Sequence, residues 1–355
     1  MSYYSSQKKP QLKNWIALLA IVTAIVLIKV YSGDKNPQPT MADLKPPSDA
    51  ESSKSGSLTG ISDSTRFSMD LPKHEPAQQA KAQNVTEQLT AVPPAPAQGT
   101  NGLESNDLIK KAAQYLSESP AKVIEARDYL NSALSTSLSS AQRKQAMNML
   151  SDLSQKWLFS KTVRAGDKLS STYKVAPGDT LVALGKQYKV PYEIIMQINN
   201  VRNPGELRAG DTIKVVDGPF NAKINRLSYT LDLYLQKTYV CSFPVGLGKE
   251  GRETPTGLWL VKLGGKLISP TWTDPDTGKT YEAESPDYPL GSRWIGLTGI
   301  KGNAKDRNGF ALHGTKDNSS IGKSSSRGCI RMIDKDILLM YSLMMPGFSN
   351  VEVAD

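Results

Sequence analysis

Cysteine and histidine are nearly absent: the 355-residue chain has two of each. Two cysteines are too few for a disulfide-built scaffold, and two of each cannot fill a zinc-finger spacing. No metal or other cofactor is expected. Acidic side chains are the minority, 34 against 43 basic ones, leaving a net charge of +9. That excess suits an anionic partner, a membrane surface or an acidic wall polymer. Nucleic acid is not expected, because no stretch interleaves dense Lys/Arg with aromatics. No apolar run reaches the ~20 residues that span a bilayer comfortably. The run at 15–28 has fourteen. The length allows two or three domains.

That run still reads as a membrane anchor over 15–31. Lys8, Lys9 and Lys13 precede it and Lys29 follows, and such side chains snorkel and lengthen a span. The basic flank places a short tail, 1–14, in the cytoplasm and the rest outside. A cleaved signal segment is the alternative, with Val30-Tyr31-Ser32 as an imperfect cleavage site. Residues 32–101 are rich in Pro, Ser, Ala and Gln, and Phe67 is their only aromatic. Such a stretch buries too little apolar surface to offset the entropy of ordering, so it reads as a disordered linker. His74, within it, has no second histidine nearby and reads as solvated.

Residues 102–160 read as a helical region of three short helices. Leu108, Ala112 and Leu116 share one face. Ser119-Pro120 marks the start of the second helix, and Ser139 or Ser140 the start of the third. Met149, Leu150, Leu153 and Trp157 make a buried stripe. Nothing here carries chemistry. Packing or spacing is the plain reading, and docking of a protein partner the other.

Residues 173–217 are compact. A short strand at 173–175 meets the turn Pro177-Gly178-Asp179-Thr180, which caps a helix over 181–188. Pro191 breaks the path. A second helix carries Ile194, Ile195 and Ile198, and 212–216 return as a strand. This βααβ unit resembles the LysM family, through V-A-P-G-D-T-L at 175–181, Ile198-Asn199, and L-R-A-G-D-T-I-K-V at 207–215. The resemblance implies binding of N-acetylglucosamine-containing glycans. It implies a groove with Gly178, Asp179 and Thr180 on one side and Ile198, Asn199 and Asn200 on the other. Asp179 and Asn199 also fit plain capping and turn roles. V-R-A-G-D-K-L at 163–169 echoes the opening without its helices, as a relic or an added strand.

After Pro219 the apolar period becomes two. Leu227, Tyr229, Leu231, Leu233 and Leu235 share a face. After a turn near Gln236-Lys237, so do Tyr239, Cys241, Phe243 and Val245. These are two strands over a core, with Cys241 inside it. Residues 264–287 read as a long polar loop, a lid or cleft wall. Short strands follow at 293–297 and 310–313, and a helix at 334–345. Cys329 and His313 lie sixteen positions apart, so a strand, a polar loop and a return are needed to join them. A thiol near an imidazole suggests nucleophilic acyl transfer. A Cys241–Cys329 disulfide is the rival reading.

From about residue 220 to 353, T-P-T-G at 254–257, H-G-T at 313–315 and S-R-G-C-I-R at 326–331 resemble the L,D-transpeptidase (YkuD-like) family. The fold expected is therefore a mainly β catalytic domain of L,D-transpeptidase type over 220–355. A βααβ LysM module, a short helical region and a single N-terminal membrane anchor precede it. The resemblance implies Cys329 as nucleophile, with His313 as the base that maintains its thiolate. It implies attack at the third residue of a peptidoglycan stem tetrapeptide, loss of the terminal D-alanine, and a 3→3 crosslink to a neighbouring stem. Gly328 and Cys329 offer peptide N–H groups to an oxyanion. A carbonyl near Ser326 is expected to orient His313. Arg331 would clamp a substrate carboxylate or pair with Asp334. Gly314 and Thr315 are further substrate contacts. Arg327 stands where many members of the family have histidine, and its own contact is left open; a positive group there would lower the thiol pKa.

The partners implied are glycan strands, stem peptides and, through the anchor, a membrane. The location implied is the bacterial envelope, single-pass, with the catalytic domain on the extracytoplasmic side. An L,D-carboxypeptidase or a protein-to-wall ligase would use the same acyl-enzyme. A non-catalytic glycan-binding scaffold is the alternative of a different class.

Overall fold

The computed structural model describes residues 105–355. The expected tail, anchor and linker, with His74, lie outside the described residues. Within them no helix is long and apolar enough to cross a membrane. The expected fold class, membrane partner and single-pass location all included that anchor, and they are corrected by its removal.

Three helices open the structure: α1 (Ser105–Ser117), α2 (Val123–Leu134) and α3 (Ser140–Trp157). Ser139 caps α3 in a reciprocal box with Gln142, as its position suggested. The second helix starts later than Ser119-Pro120. The Lys122 N–H is drawn back to the Tyr115 carbonyl at 3.1 Å, which keeps 118–122 in a loop.

The small unit follows as β1 (Ser170–Lys174), α4 (Leu181–Tyr188), α5 (Tyr192–Asn199) and β2 (Thr212–Val216), with β1 and β2 antiparallel. Its boundaries follow local signals. The Thr180 hydroxyl accepts the Ala183 N–H at the start of α4, and Asn200 ends α5 with φ +57°. The echo at 163–169 forms no strand. Instead its Asp167 carboxylate meets Arg127 of α2 at 2.7 Å and also takes the Leu169 N–H and the Ser170 hydroxyl. The buried Lys214 ammonium donates to the carbonyls of Trp157, Ser160 and Thr162. The helical region is thus bonded to the small unit through buried charges.

The remaining strands are β3 (Phe220–Asn225), β4 (Thr230–Leu235), β5 (Thr238–Pro244), β6 (Leu247–Gly248), β7 (Gly257–Ile268), β8 (Trp272–Thr273), β9 (Thr280–Tyr281), β10 (Leu290–Lys301), β11 (Phe310–Thr315), β12 (Ser324–Ser326) and β13 (Ile330–Ile333). Helix α6 (Asp334–Leu343) and strand β14 (Asn350–Ala354) close the chain. Eight strands form one sheet in the order β13-β11-β10-β7-β14-β3-β4-β5. Trp259, Phe220 and Phe243 are fully buried in its core.

Three readings of this region change. The strand read from Leu227 begins at Thr230, and Leu227 is 79% exposed in the turn after β3. Strand β5 is buried on both faces rather than one, because α3 packs over it and Asn131 of α2 accepts the Tyr239 N–H. The long loop at 264–287 is largely ordered: β7 continues to Ile268 and a β8–β9 hairpin follows.

Candidate active site

Strands β11 and β13 run parallel, with Leu312 opposite Ile330 and His313 opposite Arg331. Leu312 and Ile330 are wholly buried toward the core. Alternation then puts His313 and Arg331 on the other face. Cys329 directly precedes β13, and its thiol meets the backbone N–H of Ala311, two residues before His313 on β11. Parallel pairing therefore joins what sixteen positions of sequence separate. Both cysteines are free, which rules out the disulfide. Cys241 is fully buried on β5, and burial pushes its thiol well up.

The His313 Nδ1–H donates to the carbonyl of Gly314, 2.6 Å away. A carbonyl can only accept, so Nδ1 carries the proton and Nε2 keeps the basic lone pair. The orienting carbonyl is that of the next residue, not one near Ser326. Trp294, opposite His313 on β10, stacks on the imidazole with ring centroids 5.5 Å apart and planes 16° from parallel. Sequence reasoning passed over Trp294, which it read only as a strand residue. Its signal lay in the pairing register.

Burial lowers the His313 pKa to about 4, against a weaker opposing pull from the Gly314 carbonyl, and the Arg331 charge lowers it further. Burial raises the Cys329 pKa, while the Ala311 N–H and the Arg331 charge pull it back. Both shifts favour the uncharged forms. The resting site is a thiol beside a neutral imidazole, not the maintained thiolate expected.

Ser326 is a brace. Its hydroxyl donates to the Cys329 carbonyl at 2.6 Å and accepts the Gly328 N–H at 3.1 Å. Gly328 therefore does not offer a free N–H to an oxyanion. It is needed for its shape. Its φ is +114°, and a Cβ there would meet Phe310 Cε1 at 2.7 Å. The Thr254 hydroxyl, from the T-P-T-G stretch, donates to the Gly328 carbonyl at 2.8 Å. The nucleophile turn is thus held from within by Ser326 and from outside by Thr254.

The open question about Arg327 resolves. Its Nε donates to Asp276 at 2.6 Å and its Nη2 to Asp274 at 2.9 Å, both in the β8–β9 turn. Paired in this way, its charge is met by two carboxylates and not by the thiol. Arg331 forms no ion pair with Asp334. Its nearest polar partner is the Ser325 hydroxyl at 3.4 Å, and Asp334 instead accepts the Ser292 N–H. Gly314 is a packing position, where a Cβ would meet Asp334 Oδ1 at 2.5 Å. Thr315 is buried, and its hydroxyl accepts the Asp317 N–H.

A cavity of about 570 Å³, lined by Arg252, Arg307, Phe310 and Arg327 among others, opens beside the nucleophile turn. Its Phe310 follows Gly309, whose carbonyl lies 3.7 Å from the Cys329 sulfur. A second, of about 610 Å³, lies at the far end of β11, lined by Tyr288, Leu290, Thr315 and Lys316 among others.

In the small unit several expected glycan contacts are structural. Ile198 is core. Asn199 is buried, and its amide bonds both the N–H and the carbonyl of Lys214 and the carbonyl of Ile195. Asp179 accepts from the Tyr173 hydroxyl and the Ala176 N–H, and Thr180 caps α4. Gly178 and Asn200 sit exposed at positive φ on the two turns.

Residues 221–353 match the L,D-transpeptidase catalytic domain, and residues 173–216 match the LysM domain. The putative L,D-transpeptidase YkuD of Bacillus licheniformis is 28% identical over 182 residues, covering 49% of this chain and 94% of that protein. The probable L,D-transpeptidase ErfK/SrfK of Escherichia coli is 30% identical over 203 residues, and the match spans little more than half of either protein, 54% and 56%. Among solved structures, an L,D-transpeptidase from Mycobacterium smegmatis aligns with 41% of this chain and 64% of its own, at 15% identity and a TM-score of 0.30, too slight an overlap to bear on function.

Proposed function

We propose, for a chain that carries an L,D-transpeptidase catalytic domain beside a LysM domain, that Cys329 takes an acyl group from a peptidoglycan stem tetrapeptide and passes it to an amine of a second stem, forming a 3→3 crosslink. One observation supports the reading above all: the β11–β13 register, which pairs His313 with Arg331, two residues after Cys329.

In the first step the Cys329 sulfur forms a bond to the carbonyl carbon of the third residue. The thiol proton passes to His313 Nε2 as attack proceeds, because the resting pair is uncharged. The peptide C–N bond then breaks, and the same proton leaves with the departing D-alanine amine. In the second step the acceptor amine attacks the thioester and gives a proton to Nε2. The C–S bond breaks, and the proton returns to the thiolate. Gly314 holds the imidazole in the tautomer that both steps need. The Arg331 charge faces the sulfur and favours its developing negative charge. The LysM domain supplies affinity for glycan strands.

The test is the intact mass of the protein after exposure to a disaccharide tetrapeptide, beside Cys329→Ala. An adduct of the donor less its terminal alanine, a disaccharide tripeptide, on the wild type and none on the variant is the expected result. With an acceptor stem present, a crosslinked dimer supports transpeptidation, whereas free tripeptide alone points to hydrolysis of the acyl-enzyme. No adduct and no product under reducing conditions would overturn the reading in favour of a glycan-binding scaffold.

A further inference from the structure

The β8–β9 hairpin and the nucleophile turn are far apart in sequence and tied by charge. Arg327 precedes Gly328 and Cys329 directly. Its guanidinium uses two different nitrogens on two different carboxylates, Asp276 at 2.6 Å and Asp274 at 2.9 Å. The planar guanidinium presents these two donors in a fixed geometry, which a rotating ammonium does not. Asp274 is 6% exposed, and its other oxygen accepts the Asp276 and Thr277 N–H groups. The carboxylate that receives Arg327 thus also shapes the turn. Asp276 is shared with Arg252, which donates to it at 2.7 Å from the loop before β7. Beneath lies Trp272, with its ring centroid 6.0 Å from the Arg327 guanidinium and its ring stacked on Tyr281.

We infer that Arg327 is a positioning residue for the acyl-transfer reaction. It fastens the β8–β9 hairpin to the Cys329 turn and so fixes one wall of the cleft in which the substrate peptide lies. The inference rests on the proposed acyl transfer at Cys329. It assigns Arg327 no contact with substrate and no effect on the thiol. Its charge is met by Asp274 and Asp276, whose own opposite charges raise its pKa. The charge that bears on the sulfur belongs to Arg331. Arg327 and Arg252 also line the cavity beside the turn, so the two arginines that hold the hairpin border that space.

Two measurements on the full chain test this. The first is hydrogen exchange over 270–283 in a Cys329→Ala background, which requires no activity. Arg327→Ala should speed exchange there about tenfold, as loss of a partly exposed charged pair does. Arg327→Lys should recover part of the protection and Arg327→Gln none. In 1 M salt the Cys329→Ala parent should move toward the Arg327→Ala rate. The second is the rate of acyl-enzyme formation with tetrapeptide. Arg327→Ala should lower it about tenfold, with the pH profile of acylation unmoved. Asp274→Asn should have a similar effect, and the double variant should be no worse than either single one.

Unchanged exchange in the hairpin overturns the inference whatever the activity. So does an Arg327→Ala loss that comes with a displaced pH profile, which would make Arg327 a direct influence on the thiol. If Arg327→Ala does not fold, Asp276→Asn loosens the same tie from the hairpin side, and the same two outcomes decide. If the wild type forms no adduct, the proposed function fails on its own while the exchange result still stands.

Discussion

The imidazole of His313 lies flat against the indole of Trp294, 5.5 Å between ring centroids, on neighbouring strands of one sheet. The stack does more than hold the ring. It contributes to the burial that lowers the pKa of this base to about 4. Trp294→Ala should admit water and let that pKa climb toward the ordinary 6.5. The acid limb of the acylation rate would then move up by about one pH unit or more, and the plateau would drop about tenfold. Trp294→Phe should keep both. A pH–rate profile of the three proteins with tetrapeptide is the measurement, and an unmoved limb in Trp294→Ala would show that other neighbours exclude the water.

Gly328 is set by backbone shape rather than by donation to substrate. An alanine there meets φ +114° and Phe310 Cε1 at 2.7 Å together. Gly328→Ala should cost about 1–3 kcal/mol of stability and most of the activity. Adding Phe310→Leu should relieve the contact but not the backbone strain, so the double variant should recover stability only in part. Thermal unfolding beside acylation rates separates the two causes.

Asp336 is a charge placed against the grain of the core. It is 3% exposed on α6, and its Oδ2 finds no hydrogen-bond partner among the described residues. Burial raises its pKa from 3.8 to about 6. A carboxyl with a raised pKa binds more protons folded than unfolded, so stability is greatest below pH 3.8 and falls as pH rises through 6. Asp336→Asn should therefore stabilise the protein at pH 7 by about 1–2 kcal/mol and make no difference near pH 3.5. Denaturant titrations at the two pH values measure it.

Arg127 and Asp167 join the helical region to the LysM domain as a buried pair, with side chains 3% and 1% exposed. Arg127→Met takes the ion-pair partner from the buried Asp167 and leaves it only the Leu169 N–H and the Ser170 hydroxyl, and should destabilise by about 3–5 kcal/mol. Asp167→Asn in the same chain should return much of that loss. The guanidinium also lies 4.4 Å from the Trp157 ring centroid, so Arg127→Met should change Trp157 fluorescence as well as the midpoint of unfolding.

Much of the local structure was legible from residue order alone. The caps at Ser139 and Thr180, the break at Pro191 and the return strand of the small unit depend on neighbours within about four positions. Such signals act before any tertiary contact forms. The T-P-T-G, H-G-T and S-R-G-C-I-R stretches likewise named Cys329 and His313 as the pair to examine. Roles that depend on distant partners were not legible. Asn199 was implied as a glycan contact by the LysM resemblance, yet it is buried, with Lys214 of β2 taking both ends of its amide. Strand β3 alternates apolar and polar over only six residues, Phe220 to Asn225, directly after a proline, and β4 and β14 pair with its two edges.

By itself the sequence determined the chemistry available: one thiol and one imidazole near the end of a chain almost empty of both, set in a β-rich segment beside a βααβ unit. The tertiary structure decided how those groups are held. The register of β11 on β13 paired His313 with Arg331, two residues after Cys329. The Gly314 carbonyl, not one near Ser326, accepted the Nδ1–H. Ser326 turned inward to brace the turn, and Arg327 turned away to two aspartates more than fifty residues earlier. Each outcome is a choice among several polar partners that the residue's own neighbourhood leaves equally open. Burial settles it, because a buried donor without an acceptor is costly, and only the packed fold decides which acceptor is within reach.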